Sequence, residues 1–197
     1  MTELPLQNPP AHNRVITYTT CRLDEKHVQL RVELKDFRLK PKEQLVHHMI
    51  VRLTFDSRLI VTAAEFATIK APYKECASYT AGPEKLIGIS ADKGFTKKVF
   101  NLYGGVEGCS HIMTILAGLS QAVRQGFVFA IRFPEEEKKL TPETLQSVVQ
   151  RMANDIENSC MVWKTDSPVQ QDVKRGEVRD LPERIYPEYH HKNFPKK

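Results

Sequence analysis

The chain has 197 residues, 41% of them hydrophobic and 27% charged, and its 29 basic and 24 acidic residues give a net charge of +5. This is the composition of one globular domain with tails, and no apolar run approaches the roughly 18–20 residues of a membrane-spanning helix. Basic residues alternate with acidic ones, as in FPEEEKKL, so no single-sign stripe argues for a nucleic-acid partner.

The first 13 residues, with the proline-rich LQNPPAHN, read as a flexible lead-in. They lack a basic segment followed by an apolar one, so a cytoplasmic location is expected. RVITYTTCRL (14–23) is rich in β-branched residues and reads as a strand. HVQLRVELKDFRL then sets Val28, Leu30, Val32 and Leu34 against Gln29, Arg31, Glu33 and Lys35, the alternation of a half-buried second strand, with DEK as the hairpin turn. VHHMIVRLTFDSR is a third strand whose apolar face carries Met49, Val51, Leu53 and Phe55. Because side chains alternate with period two, His47 shares that face and His48 points to the wet one. LIVTAAEFATIKAP is the expected fourth strand.

The remainder reads helical. Proline opens short helices at YKECASY and PEKLIG, and GFTKKVFNLY forms a helix stopped by Gly104 and Gly105. A longer helix is expected from 109 to 125, with Ile112, Ile115, Leu116, Leu119, Ala122 and Val123 as its apolar stripe. The β-branched and aromatic GFVFAIRF is assigned as a strand. TPETLQSVVQRMANDIENSCMVW opens with Thr141 as cap and Pro142 at the first helical position. Val148, Met152, Ile156 and Cys160 recur at i+4, which points Cys160 to the core. Strands followed by helices predict an α+β domain over 14–164: an antiparallel meander sheet covered on one face by helices, with a polar tail over 165–197.

The four cysteines, Cys21, Cys76, Cys109 and Cys160, are widely spaced without a C-x-x-C, which favours free thiols or metal ligands over disulfides in a reducing compartment. GGVEGCSHIM carries Cys109 and His111 at a glycine-led helix start, where unpaired N–H groups and the helix dipole favour a thiolate. Read blandly, Cys109 packs and His111 is an exposed polar residue. His47, at the start of a buried strand face, needs a metal or carboxylate partner, with His48 as the substitute if the register differs. Cys76 follows another proline-opened helix start. Together His47, Cys76, Cys109 and His111 offer two nitrogens and two sulfurs, suited to tetrahedral zinc or a mixed-ligand iron–sulfur cluster, with Cys160 as a fifth candidate. A metal-free ligand- or protein-binding module with core thiols is the competing reading. A cysteine-dependent enzyme is the third, without a residue to orient its base.

The segments NRVITYTTCRLDEKHVQLRVELKDFRLKP, HHMIVRLTFDSRLIVTAAEF, APYKEC, LIGISADKGFTKKVFNLYGGVEGCSHIMTILAGL and NSCMVW resemble a bacterial family known as a domain of unknown function, over about 14–164. Its pattern of a His-acidic-Met strand start, Pro-Tyr-x-x-Cys, Gly-Cys-x-His and a late Cys falls on His47, Cys76, Cys109, His111 and Cys160. The chain departs from it with His48 in place of the acidic residue, and with LDEKHVQLRVE in place of a tryptophan-bearing segment. A more distant, fold-level similarity is to the NifU-like scaffolds of iron–sulfur cluster assembly. It implies ligands converging on zinc or a cluster, a scaffold or carrier role, and a protein partner whose identity the residues do not give.

Overall fold

A computed structural model describes residues 8–78, 82–92, 94–106, 108–132 and 142–177. The expectations placed on residues 1–7, on Thr141 and on the end of the tail lie outside the described residues.

The sheet is the predicted meander. Strands β1 (His12–Arg22), β2 (Val28–Arg38), β3 (Gln44–Phe55) and β4 (Val61–Lys70) are antiparallel and lie in chain order. Two aspartates close hairpins in the same way. Asp24 Oδ1 accepts from the N–H groups of Lys26 and His27, and Asp56 Oδ1 from those of Arg58 and Ile60. A short carboxylate that satisfies two turn amides stands in for part of the strand ladder, which is why aspartate suits these corners. Register slips at three places. Phe37 pairs with Leu45 and Asp36 with His47, so Val46 is an extra residue in β3; likewise Ile69 and Thr62 are extra in β4.

Alternation decides the two faces. Val28, Leu30, Val32, Leu34, Met49, Val51, Leu53 and Phe55 are fully buried beneath the helices, whereas the intervening positions remain accessible. Each such side chain is worth about 1.5–3 kcal/mol when removed from water. The covering layer comprises α1 (Lys74–Ser78), a 3-10 turn (Pro83–Leu86), α2 (Phe95–Tyr103), α3 (Ser110–Ala117) and α4 (Leu119–Arg132). Phe95, Val99, Tyr103, Ile112, Ile115, Leu116, Leu119 and Val123 close the core from that side.

Two helical assignments change. The single helix expected over 109–125 is two helices, bent by 42° at Gly118, and residues 126–132 of GFVFAIRF continue the second of them instead of forming a strand. The cause lies on β1. A Cβ on Gly118 would come 2.4 Å from Tyr18 Oη, and one on Gly126 would come 2.0 Å from Thr20 Oγ1. The glycines let the helices settle onto the strand, and Leu119, Val123 and Phe127 recur at i+4 on the buried side. Packing thus overrides the β-propensity of Phe127, Val128 and Ile131.

Helix α5 (Pro142–Asp155) ends before Cys160, so the i+4 series does not extend to it. Cys160 is exposed at the start of a second 3-10 turn (Met161–Trp163). Within the segment expected as a tail, α6 (Pro168–Lys174) is capped by Ser167, whose side chain accepts from the Gln170 N–H. Val149, Ala153 and Val173 form a small second core there, with Trp163 against it. Among the described residues no single helix is long and apolar enough to cross a membrane. The bent pair of α3 and α4 passes by length and composition, but its apolar residues Ile112, Ile115, Leu116 and Leu119 are buried in the core.

Candidate metal centre

At one end of the sheet, on the helix-covered face, four elements converge on a single carboxylate. Asp36 occupies the position in β2 that continues the series Val28, Leu30, Val32, Leu34, and it is 3% exposed. A charge buried so deeply must be compensated. Arg14, its register partner on β1, supplies that as a two-pronged fork: Nε donates to Oδ1 at 2.6 Å and Nη2 to Oδ2 at 2.7 Å. The guanidinium holds the Asp36 carboxyl below the usual carboxylate range against the opposing effect of burial.

Three imidazoles surround the same carboxylate. His47, the register partner on β3, brings Nδ1 within 3.4 Å of Oδ2, and His111 brings Nε2 within 3.1 Å of that oxygen. His12, on the strand end, reaches within 3.4 Å of Oδ1 from a largely exposed position. The His47 and His111 rings lie against each other, with centroids 3.9 Å apart and planes inclined by 33°. Burial pushes the His111 imidazole below its ordinary value and the neighbouring His47 adds to this, while Asp36 opposes it. The His111 side chain is therefore biased toward the neutral form that binds a metal.

The glycine loop delivers His111. Gly105 has a φ of +74°, and a Cβ on Gly108 would lie 1.9 Å from the Tyr103 carbonyl oxygen, so the chain folds back hard against the end of α2. Cys109 then takes the N-cap position in extended conformation, and its carbonyl accepts the first helical hydrogen bond, from Met113 N at 2.9 Å. His111 follows in the first turn of α3, over the end of β2.

One ligand atom each from Asp36, His47 and His111 lie within 4.8 Å of one another, a grouping able to hold a metal ion. Of the five residues singled out from the sequence, His47 and His111 belong to it. Cys76 is half-buried on α1, Cys109 is half-buried against the main core, and Cys160 is exposed beside the 3-10 turn; none of the three is in the group. His48 points to the opposite face, where its Nε2 meets Glu33 Oε1 at 2.6 Å. Sequence reading missed Asp36, Arg14 and His12. The available signal was an aspartate on the apolar phase of an otherwise clean alternation.

The family described as "Protein of unknown function (DUF2889)" matches residues 12–125, and the chain belongs to it. That span takes in β1 to β4, α3 and every residue of the cluster. No curated protein and no solved structure matches the chain.

Proposed function

For this member of the family, we propose a metal-binding protein whose centre is a single divalent ion, zinc foremost, held by Asp36, His47 and His111. The observation that carries the reading is the spacing of the donors. A tetrahedral ion with bonds of about 2.1 Å sets its ligand atoms about 3.4 Å apart. The Asp36 Oδ2 to His47 Nδ1 and His111 Nε2 separations are 3.4 and 3.1 Å. Arg14 uses one lone pair on each carboxylate oxygen and leaves the others for an ion, so it would act as the outer partner that orients the ligand.

Two nitrogens and one oxygen favour zinc or another borderline divalent metal over an iron–sulfur cluster, which asks for thiolates. A scaffold or carrier role would draw Cys76, Cys109 or Cys160 into the site and is the less supported form of the proposal. Three protein ligands leave a coordination position open, the pattern of an ion that meets an exchangeable ligand.

A metal-free reading has its own observation, the Arg14 fork, which already neutralises Asp36. In that reading the histidines complete a hydrogen-bonded cluster of a binding module. The two are separated by titrating tag-free protein with zinc against a chromophoric chelator. One ion per chain, lost in Asp36→Asn and His111→Ala, supports the metal centre. Stoichiometry well below one in the native protein refutes it.

A further inference from the structure

Resting on that metal reading, we propose that the open position of the ion takes a small oxoanion, drawn in by a basic rim of His12, Arg14 and Arg38. The charge count leads there. Asp36 carries the single negative charge of the cluster, and the Arg14 fork matches it. A divalent ion held by this carboxylate and two neutral imidazoles would keep its two positive charges uncompensated. An anion in the fourth position relieves that imbalance, and a neutral ligand does not.

Access is set by the same geometry. His47, His111 and Asp36 have side chains only 16%, 17% and 4% exposed, whereas His12 and Arg14 are 57% and 35% exposed. Solvent therefore reaches the cluster from the β1 side. There His12 stands opposite Arg38 in the register, and alternation puts both on the face that carries Asp36. Arg38 is exposed, and its Nη2 donates to the neutral amide oxygen of Gln44. The nearby acidic side chain of β2, Glu33, has the opposite parity and meets Arg31, Lys35 and His48 on the far side of the sheet. The approach to the ion is thus lined with donors and cations, the pattern that concentrates and orients carboxylate or phosphate oxygens.

Cobalt(II), loaded in place of zinc in a non-coordinating buffer, reports on the open position through its visible bands. Acetate and inorganic phosphate are titrated in separate arms, and cobalt affinity is measured independently by chelator competition. The proposal expects a saturable spectral shift with at least one of the two anions, and the responding arm assigns carboxylate or phosphate. Arg38→Gln and His12→Ala should each weaken anion binding about threefold, the scale of an exposed polar contact, and Arg38→Gln should leave cobalt affinity unchanged. Cobalt bound without any anion-dependent shift, or variants that bind anions as the native protein does, would overturn the proposal and leave the metal centre standing. Failure to bind cobalt at all would remove both.

Discussion

His47 and His48 are neighbours in the chain, yet each meets a different carboxylate of β2 on a different face of the sheet. On the open face His48 joins Glu33, Arg31 and Lys35, a cluster made from the two adjacent strands β2 and β3 alone. On the covered face His47 joins Asp36 with Arg14 from β1 and His111 from α3. Both carboxylates are depressed: Asp36 chiefly by Arg14, and Glu33 to about 2, chiefly by Arg31. The difference is therefore not one of charge pairing. The helix adds a second imidazole from 64 positions down the chain and covers the carboxylate more deeply, 4% exposed against 18% for Glu33, turning an ion-pair network into a cluster with three convergent donors.

The largest contrast between the faces should appear in metal affinity. His47→Ala or His111→Ala should weaken zinc binding by about 100-fold or more, because each removes a direct ligand, whereas His48→Ala should leave it unchanged. Chelator competition on the three variants reads this directly, and an effect of His48 equal to that of His47 would erase the distinction.

Stability should separate the faces next. Asp36→Ala strands the Arg14 guanidinium and three imidazoles and should cost about 2–3 kcal/mol in denaturant unfolding of the metal-free protein. Glu33→Ala, among groups that solvent can reach, should cost less than about 1 kcal/mol. Comparable losses would mean that burial confers nothing special on Asp36.

Acid should act first through His111 on the covered face and only at lower pH through the depressed carboxylates of both faces. The lowered His111 value means the unfolded chain takes up that proton more readily, so stability should start to fall once pH drops below about 6.5. Glu33 works in a lower window. Its contribution is full above the ordinary carboxylate value near 4.5 and is lost as pH falls toward about 2. Unfolding free energies of metal-free protein at pH 7, 5.5 and 3.5 should therefore show an early loss that Glu33→Gln preserves and His111→Phe removes. An early loss unchanged in His111→Phe would assign it elsewhere.

The smallest effect concerns Cys109. Cys109→Ser should change zinc affinity by no more than about twofold, since the thiol packs against the core and is not among the grouped donors. A large loss would bring the sulfur back into the coordination sphere.

How much of this was legible follows from which interactions are local. The meander was readable because Val28 to Leu34 alternate without a fault and Met49 to Phe55 do so apart from Ile50, and that parity alone placed His47 under the helices. The same parity marked Asp36, but a single charged residue near a strand end is easily taken for the strand's exit to solvent. Arg14 gave no signal, since its meaning depends on a cross-strand partner 22 residues away. GFVFAIRF misled because its composition favours a strand, while Gly126 makes sense only once Thr20 is known to lie against it. Cys160 misled for a simpler reason: an i+4 series has no meaning past the residue where its helix ends.

The extra residue at Val46 has a consequence for how such a site can persist while its surroundings drift. Between the 39–43 loop and His47, the bulge breaks the phase of the strand, so the loop side and the core side are not locked into one count. A residue gained or lost in the loop can be taken up by widening or erasing the bulge, leaving the ring of His47 facing Asp36. Without that slack the same single change would turn His47 out to solvent and bring its neighbour in. The hairpin tip is in this sense free to evolve, and the donor set is insulated from its length.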